Sequence, residues 1–352
     1  MPRLSEEPEI IKFVRIDSVA YEHEWDPAAY DPYRAKQVMH DYIDEAVEAE
    51  RLGWDGYVVT EHHFDGWTLI PQPNIFLAAL AMRTTRMRLG QGVQVLPVHN
   101  PVWLAEQYGM LDLLSGGRLE VGLGRGNFQF EWDRYTEDHD DAPRLFDENL
   151  ALLRKALEES GFTHDGPYAV RRPSTIYPRP LQTPLPMWIA AVSPGSVERV
   201  GRMGYNLAAP AIPDGGERLE RYIESATAAG HQVSGANFIT IGQIICAPTD
   251  REAELIAHRN RTTMVETLAA RDVRADTPLG AQVVAGFVDG IAGSPLTVRH
   301  RLTDLLQNIG ARRMMCILRV RGLPGEVSRQ TQQLLAEEVF PHVRSITTPG
   351  AS

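Results

Sequence analysis

Residues 46–126 contain three strand ends that carry polar or glycine-rich sequence: Val-Thr-Glu-His-His-Phe (59–64), Leu-Pro-Val-His-Asn-Pro (96–101) and Gly-Leu-Gly-Arg-Gly (122–126). Each follows an apolar run of strand character, and amphipathic helical segments separate them. Proteins built on parallel strands place their chemistry at the carboxyl ends of successive strands. This block therefore predicts a parallel α/β fold whose functional residues follow the strands.

The alternation of strand and helix continues on both sides of this block. Strands are predicted at 10–20, 56–60, 87–96, 119–123, 187–191, 205–208, 237–246 and 313–319. Helices are predicted at 34–52, 74–84, 101–115, 144–159, 194–203, 216–229, 250–270, 297–309 and 325–342. Eight such units favour a closed (β/α)8 TIM barrel over an open sheet, and we predict that residues 1–352 form one domain.

Two stretches rich in proline and glycine interrupt the alternation, at about 161–185 and about 272–296. We predict that both are insertions into the barrel. The first has the length and turn residues of a hairpin. The second is a long connection with little helical period, which is typical of a functional segment, and we predict a mobile flap there.

Composition excludes several classes of protein. The chain has 35 Lys and Arg against 46 Asp and Glu, a formal net charge of −11, which disfavours a general nucleic-acid or membrane-surface binder. No apolar run has the roughly 18–20 residues of a membrane span, and the polar start lacks the core of a signal peptide. We therefore expect a soluble cytoplasmic protein, with Cys246 and Cys316 as buried structural thiols.

His62 and His63 are adjacent at the end of the second predicted strand. Because side chains alternate along an extended strand, the two imidazoles cannot both point into the barrel. No His-x-x-x-His motif or Cys pair accompanies them, so no metal site is predicted. Two interpretations remain: a hydrogen-bonded pair that packs the rim, or one imidazole that reaches the pocket to exchange a proton near neutral pH.

Two other motifs predict a pocket for an anion. Arg125 lies between two glycines, where its guanidinium has little to pack against and suits a phosphate or carboxylate. Ser193-Pro194-Gly195-Ser196 begins a helix and is either a simple N-cap or a phosphate site of free amides and two hydroxyls. Arg144 is a further candidate cation. The Gly-x-Gly-x-Gly pattern lacks the βαβ context of a Rossmann fingerprint.

Together these segments resemble the bacterial luciferase-like, flavin-dependent monooxygenases. The resemblance covers most of residues 10–245, whereas the C-terminal third matches only in architecture. The matching segments are Ala-Glu-Arg-Leu-Gly-Trp-Asp-Gly (49–56), Thr-Glu-His-His-Phe (60–64), Arg-Leu-Gly-Gln-Gly-Val-Gln-Val-Leu-Pro-Val-His-Asn-Pro (88–101), Leu-Asp-Leu-Leu-Ser-Gly-Gly-Arg-Leu (111–119), Gly-Leu-Gly-Arg-Gly (122–126) and Pro-Met-Trp-Ile-Ala-Ala-Val-Ser-Pro-Gly-Ser-Val-Glu (186–198).

The resemblance implies a luciferase-like TIM barrel that takes reduced FMN from a separate flavin reductase, with NAD(P)H as the indirect source of electrons. Such an enzyme uses O2 to oxygenate a small organic substrate and is expected to be a homodimer. By position, His62 matches the catalytic histidine of the family, and we expect His63 to position the strand end. Arg125 matches a phosphate-binding arginine and Arg144 a second one.

The resemblance also implies which residues contact the cofactor. Ser193 and Ser196, with Gly195 between them, match the turn that binds the phosphate, and Gly92-Val93 falls where the family has a non-prolyl cis peptide beneath the flavin ring. The luciferases themselves carry a reactive cysteine at the position of Gly124 and an acidic residue at that of Val192. We therefore expect a non-luminescent enzyme that hydroxylates its substrate or performs a Baeyer–Villiger oxidation.

Two alternatives stay open beside this interpretation. The same fold can use a deazaflavin coenzyme for hydride transfer, and a luciferase-like barrel can be a non-catalytic flavin-binding subunit. The presence of both His62 and Arg125 speaks against the second alternative. Fold alone does not choose the reaction.

Overall fold

The computed structural model describes residues 10–21, 27–64, 68–126, 128–135, 138–212, 214–269, 284 and 288–346. Eight parallel strands close into a barrel surrounded by helices, which confirms the predicted fold class. The described residues form twelve strands in all, including the short β4 and β11 and a separate hairpin of β6 and β7: β1 (Lys12–Asp17), β2 (Gly56–Val59), β3 (Arg88–Gln91), β4 (Gln94–Val95), β5 (Leu119–Gly124), β6 (Phe162–His164), β7 (Val170–Ser174), β8 (Met187–Ala190), β9 (Asn206–Pro210), β10 (Phe238–Cys246), β11 (Ile291–Gly293) and β12 (Arg313–Ile317).

Parallel pairing brings every carboxyl strand end to one mouth of the barrel. β1 pairs with β2 on one side and with β12 on the other, and the pairing of β9 with β10 closes the ring. Alternate side chains of these strands fill the interior: Val14, Ile16, Val58, Trp188, Ala208, Ile239, Ile241 and Met315. The interior below the mouth is thus a packed apolar core.

The helices pack outside the strands. Those described are α1 (Pro32–Arg51), α2 (Pro73–Ala81), α3 (Pro101–Ser115), α4 (Gln129–Trp132), α5 (Ala142–Glu158), α6 (Pro194–Met203), α7 (Gly215–Ala228), α8 (Asp250–Ala269), α9 (Pro295–Ile309), α10 (Gly325–Leu334) and α11 (Phe340–Val343), with a π-helical segment, Leu335–Val339, between the last two. Local sequence sets their ends. Asn100 caps α3 through bonds from Val102 N and Trp103 N, and Gly116 ends it with φ 67°.

The third strand of the barrel corrects one prediction. An unbroken strand was expected over 87–96, but β3 ends at Gln91, β4 covers only Gln94–Val95, and a 3-10 turn follows at Leu96–Val98. The interruption falls at the peptide bond between Gly92 and Val93, which is cis. Periodicity of apolar residues cannot show such a break, because the pattern of buried positions continues across it.

The first insertion contains the predicted hairpin, since β6 and β7 pair in antiparallel fashion. Most of the second insertion, including residues 270–283 and 285–287, lies outside the described residues, and so does most of the predicted flap. Its last part forms β11, which pairs in parallel with the end of β10. Val284 and Val288 pack against Met264 and Leu268 of α8.

A buried ionic cluster joins the first strand to the last helices. Arg15 of β1 is fully buried and contacts Asp17 (Nε–Oδ2, 2.6 Å) and Glu45 of α1 (Nη2–Oε2, 2.5 Å). Its guanidinium also donates to Gln332 Oε1 and, over 3.1 Å, to Ser328 Oγ, both on α10. The cluster therefore ties together elements from both ends of the described chain.

Both cysteines are buried and unpaired, as predicted. Burial, with smaller contributions from nearby carboxylates, raises the pKa of the Cys246 thiol to about 12. Within the described part of the chain, no helix combines the length and the apolar character needed to cross a membrane.

Candidate functional site

Glu61, for which no role was predicted, is the centre of a buried network at the barrel mouth. Its Oε1 atom accepts hydrogen bonds from His63 Nε2 (3.0 Å) and His99 Nε2 (2.7 Å). Its Oε2 atom accepts from the side-chain amide of Gln94 and from Val95 N (3.0 Å). Burial favours the protonated acid, but the bonds from the two histidines prevail and hold the pKa of Glu61 at about 2.

This depressed pKa gives a stability prediction for Glu61→Gln. The folded pKa of about 2 lies below the ordinary glutamate pKa of 4.5, so the charged carboxylate stabilises the fold above pH 4.5 and loses that effect as the pH falls towards 2. We expect Glu61→Gln to lower the free energy of unfolding at pH 7 by roughly 3 kcal/mol. The difference from the parent should narrow between pH 4.5 and 3.

Urea unfolding of both proteins across this pH range measures the effect. Glu254→Gln, on the exposed face of α8, serves as the control and should change stability by less than about 0.5 kcal/mol. A difference between the parent and Glu61→Gln that stays constant with pH would show that the charge of Glu61 is not the cause.

His62 is held by a different carboxylate from His63. Its Nδ1 atom lies 3.1 Å from Glu131 Oε1, which also accepts from the backbone N–H of His63 (2.9 Å). Glu131, on α4, is 2% exposed. A carboxylate at Nδ1 favours the tautomer with the proton on that atom, which makes Nε2 the basic nitrogen. These contacts support the predicted division of roles between His62 and His63, which stays a prediction.

The strand interruption and the glycine-rich strand end pack against each other. The cis peptide expected at Gly92-Val93 is present. A Cβ on Gly92 would lie 2.3 Å from Val58 Cγ1, and a Cβ on Gly124 would lie 2.4 Å from Val93 Cγ2. The side chains of Val58 and Val93 therefore occupy the space that any side chain at Gly92 or Gly124 would need. A cysteine in place of Gly124 would collide with Val93, in keeping with its absence here.

The predicted phosphate turn has its hydroxyls preorganised at the start of α6. Ser193 Oγ and Ser196 Oγ are 2.9 Å apart, and Ser196 N donates to Ser193 Oγ over 3.4 Å. No atom lies within 4 Å of the place where a side chain on Gly195 would begin. The helix start is therefore open and polar, with the dipole end and backbone N–H groups that suit an anion.

A second arginine, Arg199, lies on α6 close to this turn and is a candidate anion ligand in addition to Arg125, which the sequence predicted. Arg125 is exposed and forms no hydrogen bond or ion pair with the described residues. The pKa of Arg199, on α6, is lowered first by burial and then by the positive charges of Arg125 and Arg202. Arg199 also pairs with Asp147 of α5. Arg199 follows Ser196 by one helical turn, a spacing that could have indicated it. The positive charges of Arg125 and Arg199 thus act on each other, an effect that an anionic ligand would relieve.

Arg144 is engaged elsewhere. Its guanidinium pairs with Asp141 (3.3 Å) and Glu148 (3.4 Å) on its own helix and is 60% exposed. It lies one turn before Asp147, so it is close in sequence to the partner of Arg199. Exposed pairs of this kind contribute little free energy, and an anion could displace them. The role of Arg144 in binding phosphate stays a prediction.

Glu61, His63 and His99 also have the composition of a metal site. Their ligand atoms lie within 4.8 Å of one another. The sequence could not indicate this group, because His99 is 38 residues from Glu61. Hydrogen bonding already accounts for the geometry, since both oxygens of Glu61 have two donors each. The expectation that the protein holds no metal stays a prediction.

Comparison with known proteins identifies a family, and the relatives differ in the coenzyme that their names give. A family model described as luciferase-like monooxygenase matches residues 23–313. The chain is 40% identical over 183 residues to the uncharacterized protein y4vJ of Sinorhizobium fredii, a match that covers 52% of each chain. It is 29% identical over 234 residues to the oxygenase component of a flavin-dependent trigonelline monooxygenase of Acinetobacter baylyi, with 65% of each chain covered.

A further relative uses another coenzyme. The chain is 30% identical over 210 residues to an F420-dependent glucose-6-phosphate dehydrogenase of Kineococcus radiotolerans, which covers 57% of this chain and 60% of the relative. The matches to these three proteins thus span about half to two thirds of their lengths.

Solved structures agree over nearly the whole chain. The monooxygenase RslO1 of Streptomyces bottropensis superposes with a TM-score of 0.81 at 27% identity, covering 94% of this chain and 99% of that one. The oxygenating constituent of 3,6-diketocamphane monooxygenase of Pseudomonas putida, a Baeyer–Villiger enzyme in complex with FMN, superposes with a TM-score of 0.75 at 21% identity, covering 97% and 100%. At that identity the second comparison shows the fold alone.

Proposed function

The chain belongs to the luciferase-like monooxygenase family, and we propose that it is the oxygenase component of a two-component system. In this proposal it binds reduced FMN supplied by a separate flavin reductase, which draws its electrons from NAD(P)H. It then uses O2 to oxygenate a small organic substrate. The trigonelline monooxygenase relative is named as an oxygenase component, which supports a separate reductase. A cytoplasmic location stays a prediction.

The observation that carries the proposal is the anion site at the start of α6. Arg125 has no partner among the described residues, Arg199 lies close to it, and the open turn from Ser193 to Ser196 offers hydroxyl and amide donors. In a chain of net charge −11, such a concentration of donors and positive charge indicates a specific anionic ligand. The phosphate of FMN fits this set of donors.

The other residues of the mouth have roles that follow from their contacts. Bound reduced FMN would supply the electrons for the reaction with O2. Gly92, Val93 and Gly124 are closely packed at the mouth, and we expect the flavin ring to lie against them. Glu131 orients His62 so that its Nε2 atom can accept or donate a proton during the reaction. Glu61 holds His63 and His99 in place beside it.

The cofactor assignment predicts that Arg125→Ala weakens the binding of reduced FMN by roughly tenfold or more. A hydrogen bond to a charged group contributes on the order of 1.5–3 kcal/mol, and tenfold corresponds to about 1.4 kcal/mol. Anaerobic titration followed by flavin fluorescence measures the dissociation constant. Riboflavin, which lacks the phosphate, should bind the parent weakly and should be little affected by the substitution.

Arg134→Ala is a suitable control, because the Arg134 guanidinium packs on Phe130 and donates to its carbonyl oxygen. It should leave FMN affinity nearly unchanged. Equal affinity of the parent for FMN and riboflavin would contradict the phosphate assignment.

A second candidate function is hydride transfer with a deazaflavin. It is supported by the 30% identity to an F420-dependent dehydrogenase. Separate titrations with reduced FMN and reduced F420 distinguish the two. Tight binding of F420 with no binding of FMN would favour the dehydrogenase and overturn the monooxygenase.

We also propose that the protein is a homodimer, as expected from the family. Apolar side chains are exposed on two neighbouring helices, Ile75 of α2 and Trp103, Met110 and Leu114 of α3, and Trp103 is 66% exposed. Exposed apolar side chains grouped in this way are typical of a protein interface, and a second copy of the chain is the commonest partner.

The dimer predicts that Trp103→Glu, alone or with Met110→Glu, gives monomers. Sedimentation velocity of the purified protein measures this. Tyr33→Glu on α1, at an aromatic residue that is even more exposed than Trp103, is the control and should leave the dimer intact. A parent that sediments as a monomer at micromolar concentration would contradict the proposal.

A further inference from the structure

Gln243 lies on the inner face of β10, near the mouth of the barrel. Ile239 and Ile241 point into the apolar interior, and Gln243 follows on the same face, two residues closer to the carboxyl end. Its register partner is Ile317 of β12, which in turn pairs with Ile16 of β1. A Cβ on Gly92 would lie 2.9 Å from Ile16 Cδ1. Gln243 and the Gly92-Val93 peptide are therefore at the same end of the barrel.

The side-chain amides of Gln243 and Asn260 contact each other here, and two of their four polar atoms have no partner among the described residues. Gln243 is 1% exposed and Asn260 of α8 is 3% exposed. Asn260 Nδ2 donates to Gln243 Oε1 over 3.0 Å, whereas Gln243 Nε2 and Asn260 Oδ1 have no partner among the described residues. Turning both amides over exchanges the atoms but still leaves one donor and one acceptor unpaired. Buried polar groups are rarely left in this state, so a partner beyond the described residues is indicated.

A cavity of about 270 Å³ adjoins Gln243. Ile245, Ala257 and Ala292 give it apolar walls. The charged groups that line it, Arg261 and Asp289, form an ion pair with each other. The cavity therefore offers no net charge to a ligand, and its volume, slightly below the range of drug-sized sites, suits a single ring or a short chain.

Close backbone packing fixes one edge of this cavity. A Cβ on Gly290 would lie 2.0 Å from the carbonyl oxygen of Gln243, so only glycine allows the segment before β11 to approach β10 so closely. Val288 connects the cavity with the candidate catalytic residues. Val288 lines the cavity and belongs to an apolar cluster against which Phe128 packs. The ring of Phe128 lies 5.2 Å from that of His62, so the cavity and His62 have a common neighbour.

We propose that this cavity is a substrate subsite that binds a neutral amide group, a carboxamide or a lactam, through Gln243. An amide carries a donor and an acceptor side by side, so its C=O group can accept from Gln243 Nε2 while its N–H group donates to Asn260 Oδ1, the two atoms that have no partner among the described residues. Asn260 fixes the orientation of Gln243, and the apolar walls receive the hydrocarbon part of the ligand. As a substrate subsite it rests on the proposed function, because His62 and the flavin would act on the part of the substrate beyond the amide.

The test compares two probes of the same ring size. 2-Piperidone is a six-membered lactam with adjacent N–H and C=O groups, and cyclohexanone keeps only the C=O group. The protein is labelled with ¹⁵N in its glutamine side chains, and the amide signal of Gln243 is assigned by its loss in Gln243→Met. We expect 2-piperidone to shift this signal saturably and to bind at least about tenfold more tightly than cyclohexanone, since one hydrogen bond to a buried group distinguishes them.

Matched variants show which residue is responsible for the preference for the lactam. Asn260→Leu should reduce the advantage of the lactam, because it frees the Gln243 side chain to turn, whereas Gln37→Met at an exposed glutamine on α1 should retain it in full. Equal affinity for the two probes, or a Gln243 signal that does not shift, would overturn the subsite. So would a crystal structure at saturating 2-piperidone in which Gln243 bonds only to water.

The experiment distinguishes a failure of the amide subsite from a failure of the proposed cofactor. If reduced FMN binds and 2-piperidone does not, the subsite alone is wrong. If 2-piperidone binds with the expected preference and reduced FMN does not, the amide site stands and the proposed function fails.

Discussion

We expect His62→Ala to lower the rate of substrate oxygenation by about 10²–10⁴-fold, the usual contribution of a positioned general acid or base. The imidazole is held through Nδ1 by the buried carboxylate of Glu131, which makes Nε2 the atom that exchanges a proton. Alanine removes that group without creating a cavity in the packed core, because His62 lies at the mouth. The variant should therefore fold and should bind reduced FMN with parental affinity.

Stopped-flow oxidation of the bound reduced flavin, with product measured in parallel, tests this expectation. His63→Ala is the matched comparison, since it removes the neighbouring imidazole and one donor to Glu61. It should lower stability or flavin affinity more than the rate of the chemical step. A near-parental yield of product from His62→Ala would end the assignment, and His99 and Glu131 would be the next residues to test.

The largest expected effect on stability is that of Glu45→Ala, about 3–5 kcal/mol. Glu45 Oε2 contacts Arg15 Nη2 at 2.5 Å, and Glu45 Oε1 contacts Arg319 (2.9 Å) and Arg329 (3.3 Å). Glu45 is 3% exposed and Arg15 is fully buried. Without Glu45, Asp17 is the one carboxylate that the described structure places against Arg15. The buried guanidinium of Arg15 then loses one of its two ion-pair partners, and an under-compensated buried charge destabilises the fold.

A second glutamate on the same helix provides the control. Glu48 pairs with Arg51 at the surface, where the two side chains are 42% and 68% exposed, so Glu48→Ala should change stability by less than about 1 kcal/mol. Urea unfolding at pH 7 measures both variants. A loss of under about 1 kcal/mol in Glu45→Ala would show that the cluster is not a main source of stability.

The candidate site could be predicted in part, because some of its determinants are local in sequence. The Ser193–Ser196 turn is an N-cap, which a few consecutive residues specify, and the structure has it at the start of α6. Arg125 could be predicted because it directly ends β5 between two glycines. Arg199 was missed, since its relevance depends on the neighbouring strand that carries Arg125.

The sequence by itself determined the order of strands and helices and the residues that end each strand. These follow from short periodic patterns, caps and turn residues, whose physical causes act within a few positions. The tertiary structure alone decided which side chains meet. His62 and Glu131 are 69 residues apart, Glu61 and His99 are 38 apart, and Gln243 and Asn260 are joined across a strand and a helix. Hydrogen bonds have short reach, so these partners are fixed only when barrel closure sets the register of the strands.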